Sequence, residues 1–178
     1  DDWAAYPLGV AWAIQELSGK AGQGFEARIR SDVPVGAGLS SSAAIECAVG
    51  TALNELWQSG LSKQQLAKAG QLGENQIVGA PTGIMDQTAS IFGAVDNAVF
   101  IDCRSLEIEN VPLGFAENNL ELLVIDTRVA HRLVDGGYAE RRAACERAAA
   151  AFGVSSLRDL SEADLPKAKE FLDDVTYR

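Results

Sequence analysis

A glycine- and serine-rich stretch, residues 34–43, is the part of the sequence best suited to chemistry. It reads Pro-Val-Gly-Ala-Gly-Leu-Ser-Ser-Ser-Ala, with a strand-like segment before it and a helix-like segment after it. Glycines let main chain approach a bulky anion, and the N–H groups at a helix start favour negative charge. The stretch therefore predicts a phosphate cradle in which Gly36 and Gly38 approach the phosphates and Ser40–Ser42 cap the helix or donate to them. A flexible turn with a serine N-cap is the simpler alternative.

Two familiar phosphate-binding loops do not fit this stretch. A Walker A loop requires Lys and then Ser or Thr directly after its glycines, and neither follows here. The third glycine of a GxGxxG dinucleotide loop is also absent. The kind of phosphate site must therefore be decided by other residues.

Glu74 and Asp86 are two acidic residues whose setting suggests a shared pocket. They lie twelve positions apart, and Pro81 and Gly83 interrupt the helical pattern between them. A bend at this interruption can fold both carboxylates toward one pocket, which helical spacing alone could not do. Phosphoryl transfer needs a held triphosphate, a divalent cation that neutralises it, and a hydroxyl aimed in line. Taken singly, Glu74 also suits a solvated helix surface, and Asp86 suits a helix start, where a carboxylate interacts with the dipole.

The elements that must position these residues follow from the hydrophobic periodicity. Helices are predicted over 3–17, 43–57, 62–78 and 138–152, with further helical pieces starting at Met85, Ser155 and Ser161. Ser62 and Gln65 have the spacing of a capping box. Strands are predicted over 25–31, 98–102, 106–111 and 120–126. This order favours an α+β fold in which helices pack on a largely antiparallel sheet.

Composition limits the classes of partner. The chain has 178 residues with 25 acidic and 15 basic side chains, a formal net charge of −10, so nucleic acid and anionic membranes are poor partners. No apolar run approaches the roughly 18–20 residues that cross a bilayer. Cys47, Cys103 and Cys145 lack the spacing of a zinc site or a disulfide framework and are expected to be reduced core thiols in a cytoplasmic protein.

The longer strings resemble one enzyme family. PxGxGLSSSA at 34–43 is similar to the second motif of the GHMP kinases, and GENQIVGAPTGIMDQ at 73–87 resembles the galactokinase form of the segment that carries the catalytic aspartate. Residues 98–107 and 127–138 also look like galactokinase segments, so the resemblance covers essentially the whole chain. It implies a GHMP kinase-like fold whose N-terminal part is similar to ribosomal protein S5 domain 2. Residues 1–112 would belong to the ATP-binding N-terminal domain and 113–178 to the start of the C-terminal domain.

The resemblance to galactokinases implies that Mg²⁺-bound ATP donates its γ-phosphoryl group to the C1 hydroxyl of galactose. Asp86 would be the catalytic base or positioner that faces this hydroxyl, and Ser42 and Glu74 would approach the magnesium ion. The residues implied to contact the ATP phosphates are Pro34, Gly36, Ala37, Gly38, Leu39, Ser40, Ser41 and Ser42.

The same resemblance implies contacts to the sugar and to the adenine. Gly83 would contact the sugar by its main chain and Tyr138 by its hydroxyl, although Tyr138 also suits a half-buried aromatic at a helix start. Trp3 and Tyr6 match positions that border the adenine; because they lie three apart on one helix face, they also suit core packing. His131 is expected to make a structural hydrogen bond.

Two galactokinase motifs are missing from the sequence. Neither a first motif of the kind GRVNLIGEHTDYN nor a late KxTGGGFGG segment is present. The chain is therefore expected to be the central portion of a longer enzyme and to be inactive or weakly active alone. A galactokinase-like sensor that binds ATP and sugar without turnover, and another small-molecule kinase of the GHMP superfamily, are the alternatives.

Overall fold

The protein is described by a computed structural model over residues 2–125 and 137–177. His131 and most of the segment at 127–138 lie outside the described residues. The chain forms two compact units, Asp1–Arg132 and Leu133–Arg178. The family domain boundary expected after residue 112 stays a prediction.

The first unit contains helices and one β-hairpin in its described residues. A 3₁₀ turn at Asp2–Ala4 leads into α1, and the helices are α1 (Ala5–Ser18), α2 (Ser41–Leu56), α3 (Lys63–Gly73) and α4 (Met85–Phe92). A stretch of π-helix, Glu74–Val78, continues α3. The hairpin pairs β1 (Asn97–Ile101) antiparallel with β2 (Ile108–Pro112). The helices predicted from periodicity and these two strands are confirmed within a few residues.

The core of this unit lies between the first three helices. It contains Val10 and Ile14 from α1, Val49 and Leu53 from α2, and Leu66 from α3. Fully burying one such aliphatic side chain contributes roughly 1.5–3 kcal/mol. α1 and α3 cross at two glycines, since a Cβ on Gly73 would lie 2.6 Å from the main-chain carbon of Gly9. The close crossing fixes the end of α3 against α1.

The capping box predicted at the start of α3 is confirmed. The Ser62 hydroxyl accepts from the Gln65 main-chain N–H at 3.3 Å, and the Gln65 side-chain oxygen accepts from the Ser62 N–H at 2.9 Å. Two N–H groups that a helix start would leave without partners are thereby satisfied.

The strands predicted at 25–31 and 120–126 are wrong for the residues that the structure describes. Their alternating or apolar patterns suit strands, but a strand also needs a neighbour, and neither segment is paired among the described residues. Residues 25–30 instead lie along α2 and line a cavity of about 340 Å³ with it. The α+β class and the antiparallel pairing are confirmed, but the described sheet has only two strands, and the helices pack mainly on one another.

The second unit is helical in its described residues. It contains α5 (Gly137–Phe152), 3₁₀ turns at Leu157–Asp159 and Glu162–Asp164, α6 (Leu165–Phe171) and α7 (Asp174–Tyr177). Its buried positions are small, namely Ala148, Ala149 and Ala168. Arg142 and Glu146 form an exposed ion pair at 3.0 Å, one turn apart on α5.

The cysteines differ in exposure. Cys47 is buried as expected, whereas Cys103 and Cys145 are exposed, so the expectation of core thiols is wrong for these two. Among the described residues, no helix combines the length and the apolar character needed to cross a membrane.

Candidate active site

Three elements of the first unit bring buried polar side chains into contact. Glu46 on α2, Glu74 at the start of the π-helix and Gln87 on α4 are each at most 2% exposed. The Gln87 side-chain nitrogen Nε2 donates to Glu46 Oε2 and to Glu74 Oε2, at 3.0 Å in both cases. A primary amide has two N–H donors, and both are used. We call Glu46, Glu74, Gln87 and the adjoining Thr82 the carboxyl cluster.

Thr82 adds a second donor to Glu74. Its hydroxyl donates to Glu74 Oε2 at 2.5 Å. The Thr82 carbonyl in turn accepts from Asn75 Nδ2 at 3.2 Å and from Gln71 Nε2 at 3.5 Å. The loop that carries Thr82 is therefore fastened to the helix that carries Glu74.

The chain turn between Glu74 and Thr82 depends on the end of the π-helix. Gly79 ends it in the left-handed conformation, with φ of 83°, which costs a glycine little. The Ala80 N–H then donates to the Glu74 carbonyl at 3.0 Å. This turn, together with Pro81, folds the chain back so that α4 starts beside the cluster, as the predicted bend between Glu74 and Asp86 required.

Gly70 on α3 makes room for the cluster. A Cβ at this position would lie 2.9 Å from Gln87 Cγ and 3.3 Å from Glu46 Oε2. Real Cβ atoms do not approach other atoms this closely, so the buried Gln87 side chain occupies the volume that a larger residue would fill.

The electrostatics of the cluster follow from its burial. The pKa of Glu46 is raised to about 8, mainly by desolvation and then by the charges of Glu74 and Asp86, while the hydrogen bond from Gln87 lowers it. Burial likewise raises the pKa of the Cys47 thiol to about 11, and this thiol donates to the Gln87 carbonyl at 3.6 Å.

Three oxygen atoms of the cluster have no hydrogen-bond partner in the described part of the chain. They are Glu46 Oε1, Glu74 Oε1 and Gln87 Oε1, all buried. The Glu74 oxygen suits a hard cation, because Mg²⁺ prefers oxygen ligands, and the Glu46 and Gln87 oxygens suit water. No set of three or more His, Cys, Asp or Glu side chains within residues 2–125 and 137–177 is arranged to hold a metal by itself. A bound Mg²⁺ would therefore need hydroxyl, water and phosphate oxygens as well, which fits the ligands implied by the family.

Glu74 is part of the cluster itself, whereas Ser42 and Asp86 lie on the two helices that carry its other members. Ser42 is half-buried in the first turn of α2, one turn before Glu46, and residues four apart are neighbours on a helix surface. Asp86 is half-buried in the first turn of α4 and directly precedes Gln87. The roles predicted for these residues stay predictions.

The glycine–serine loop, residues 34–42, leads into the same end of α2. Gly36, Gly38 and Ser40 have positive φ angles of 73°, 76° and 54°, whereas the residues between them do not. Alternating conformations of this kind turn successive N–H groups toward a common concavity, which favours an anion. Ser40 occupies the N-cap position but its side chain makes no capping bond, so the capping alternative is not observed there.

The other predicted contact residues lie at accessible positions. Gly83 is exposed, and within the described residues no atom lies within 4 Å of where a Cβ would stand, so a ligand can reach its main chain. Trp3 is 58% exposed before α1, and Tyr6 is half-buried. Tyr138 is 47% exposed at the start of α5, in the second unit.

Sequence reasoning did not identify Glu46, Thr82 and Gln87. Glu46 carried a usable signal, because the buried positions of α2 recur at helical spacing and include it: Ala43, Glu46, Cys47, Gly50 and Leu53. An acidic residue on such an apolar stripe indicates a buried carboxyl group that needs a partner. Thr82 and Gln87 lie inside the strings quoted for the family resemblance, but nothing in their types indicates the contact.

The comparison with protein families agrees with this architecture. The family model for the GHMP kinases N terminal domain matches residues 5–94, which contain the glycine–serine loop and the carboxyl cluster. The chain therefore belongs to the GHMP kinase family.

Individual relatives are galactokinases. The galactokinase of Streptomyces coelicolor is 48% identical over 172 residues, covering 97% of this chain and 44% of the relative, and that of Streptomyces lividans is 47% identical, covering 97% and 43%. The crystal structure of Lactococcus lactis galactokinase complexed with galactose matches with a TM-score of 0.82 and 30% identity, over 98% of this chain and 46% of that chain. The fold expected from the sequence is confirmed. The chain spans less than half the length of these relatives.

Proposed function

We propose that the protein is a galactokinase that transfers the γ-phosphoryl group of ATP to the C1 hydroxyl of galactose. The similarity to galactokinases runs along 97% of the chain. One observation of the site supports phosphoryl transfer most directly. The glycine–serine loop leads into α2, and Glu74, which has one buried oxygen without a partner among the described residues, is joined to Glu46 on α2 through Gln87.

The chemistry is divided among this chain's own groups. The main-chain N–H groups of the glycine–serine loop and of the start of α2 bind the phosphates. Ser42 and Glu74 hold Mg²⁺, which neutralises charge on the phosphates when it is bound. Asp86, at the start of α4, orients the sugar hydroxyl and accepts its proton.

The contacts at the edges of the site complete the proposal. The main chain of Gly83 and the hydroxyl of Tyr138 contact galactose, and Trp3 and Tyr6 border the adenine. A cytoplasmic location, the substrates ATP and galactose, and the Mg²⁺ requirement all belong to this proposal.

The catalytic assignment is tested by Asp86→Asn in the full-length protein. Removing the acceptor of the proton should lower kcat about 10²–10⁴-fold while the affinity for an ATP analogue stays within a factor of two or so. The matched control is Asp96→Asn, the same chemical change in an exposed turn between α4 and β1, which should keep full activity. ADP release with galactose, followed by a coupled assay, measures the rate.

Two results would contradict the proposed function. Wild-type turnover in Asp86→Asn would remove the catalytic assignment. Binding of galactose and ATP by the unmodified protein without release of ADP would identify a sensor rather than an enzyme. Faster ADP release with another hexose than with galactose would identify another small-molecule kinase of the GHMP superfamily.

A further inference from the structure

We infer that Thr82 and Gln87 are positioning residues that hold one oxygen of Glu74, so that its other oxygen is presented to the cation. This inference rests on the proposed function, since it concerns the cation that accompanies ATP. It assigns to both residues a role that their types alone do not indicate.

The two oxygens of Glu74 have different surroundings. Oε2 accepts from the Thr82 hydroxyl at 2.5 Å and from Gln87 Nε2 at 3.0 Å. Oε1 is buried and has no partner in the part of the chain that the structure describes. A carboxylate held this way cannot rotate without losing two hydrogen bonds, so Oε1 keeps one direction.

The donors are themselves held. Gln87 is fully buried and spends its second N–H on Glu46 Oε2, and the carbonyl of Thr82 accepts from Asn75 and Gln71. Donors with fixed positions orient a ligand side chain before the metal arrives, which is the usual effect of hydrogen bonds behind a metal ligand. The hydrogen bonds also balance part of the cost of burying the charge of Glu74.

The hydrogen bond between Gln87 and Glu74 connects the proposed cation ligand with the helix that carries Asp86. Gln87 directly follows Asp86 in the first turns of α4, so the hydrogen bond from Gln87 to Glu74 also fixes the end of the helix that carries Asp86. A change at Gln87 therefore acts on Glu74, on Glu46 and on the position of α4, whereas a change of the Thr82 side chain acts on Glu74 alone.

The test measures Mg²⁺-dependent nucleotide binding in the full-length protein. The Kd of a non-hydrolysable ATP analogue is determined by calorimetry in excess Mg²⁺ and in EDTA. The Kd in EDTA divided by the Kd in Mg²⁺ gives the factor by which the cation tightens binding. Thr82→Val and Gln87→Leu should each lower this ratio about 10-fold, the low end of what such partners of metal ligands contribute. The Kd in EDTA should stay unchanged.

Thr88→Val is the matched control. Thr88 is also buried on α4, but its hydroxyl donates to the Ile84 carbonyl at 2.8 Å rather than to the cluster. The control removes a buried polar group from the same helix without removing a donor to Glu74, and it should keep the wild-type ratio. Because Thr82 lies half-buried in a loop, Thr82→Val keeps the test decisive if Gln87→Leu does not fold.

The outcomes separate this inference from the proposed function. If the unmodified protein binds the analogue more tightly with Mg²⁺ but the Thr82 and Gln87 variants keep the same ratio, the positioning role is refuted and the kinase assignment stands. If the unmodified protein shows no effect of Mg²⁺, the proposed function fails and this inference fails with it. A lowered ratio in both variants but not in Thr88→Val supports it.

Discussion

The carboxyl cluster and the glycine–serine loop meet at the first turns of α2, yet they are built from different parts of their residues. The cluster uses buried side chains that hydrogen-bond one another across three elements. The loop uses main chain in left-handed conformations, with several of its residues exposed. One region is assembled by folding, whereas the other presents donors for a ligand to satisfy. Substitutions in the cluster should therefore change stability and the Mg²⁺-dependent part of nucleotide binding, whereas substitutions in the loop should change the affinity for the phosphates directly.

The largest difference between the carboxyl cluster and the glycine–serine loop should appear in how each affects the pH dependence of stability. The raised pKa of Glu46, about 8 against an ordinary value of 4.5, means that the folded protein binds this proton more tightly than the unfolded chain does. Its stabilising contribution is complete below about pH 4.5 and is lost as the pH rises to about 8. The free energy of unfolding should fall across this window by up to about 1.4 kcal/mol per pH unit.

Glu46→Gln should remove this slope in urea-unfolding curves, because an amide of the same shape does not titrate. Glu55→Gln, an exposed position on the same helix, should retain it. An unchanged slope in Glu46→Gln would show that another group carries the pH dependence.

Gly70→Ala tests the packing of the cluster. The new Cβ would lie 2.9 Å from Gln87 Cγ, so the buried amide must shift, at a cost of roughly 1–3 kcal/mol that exceeds the gain in helix propensity. The midpoint of urea unfolding should fall. A more stable variant, as expected for a glycine in an open helix, would mean that the space beside Gly70 is larger than described.

Gly36→Ala tests the loop by the same chemical change. Its φ of 73° strains an L-residue by roughly 1–2 kcal/mol, although the part of the chain that the structure describes has no atom within 4 Å of the new Cβ. Gly19→Ala, at φ of 66° and equally open at the end of α1, is the matched control. Both variants should lose similar stability, and only Gly36→Ala should weaken binding of the ATP analogue. Equal affinities would remove Gly36 from the phosphate site.

Ser40→Gly should have the smallest effect and the opposite sign. Ser40 adopts φ of 54° without a capping bond from its side chain, so glycine should raise the free energy of unfolding by about 1 kcal/mol or less. Gln58→Gly, at φ of 50° after α2, should gain a similar amount. A loss of stability at Ser40 alone, measured by thermal unfolding, would reveal a hydrogen bond from its hydroxyl.

The comparison also shows what the sequence could predict. Local rules placed the helices and the capping box at Ser62, because their determinants lie within a few residues of one another. The strand predicted at 25–31 failed because pairing depends on a distant neighbour that local alternation does not contain. The contacts of Gln87 could not be predicted either, since they join residues 41 and 13 positions away.

The π-helical stretch at Glu74–Val78 has a consequence for changes in chain length. An α-helix advances by about 100° per residue, so deleting one residue there would restore the regular winding and turn everything that follows around the axis. Thr82 would then approach from another side, and Glu74 would lose the hydrogen bond from its hydroxyl. Insertions and deletions should thus be tolerated in the exposed loop of the hairpin. They should not be tolerated in the π-helix, because its number of residues sets the direction of the chain that follows.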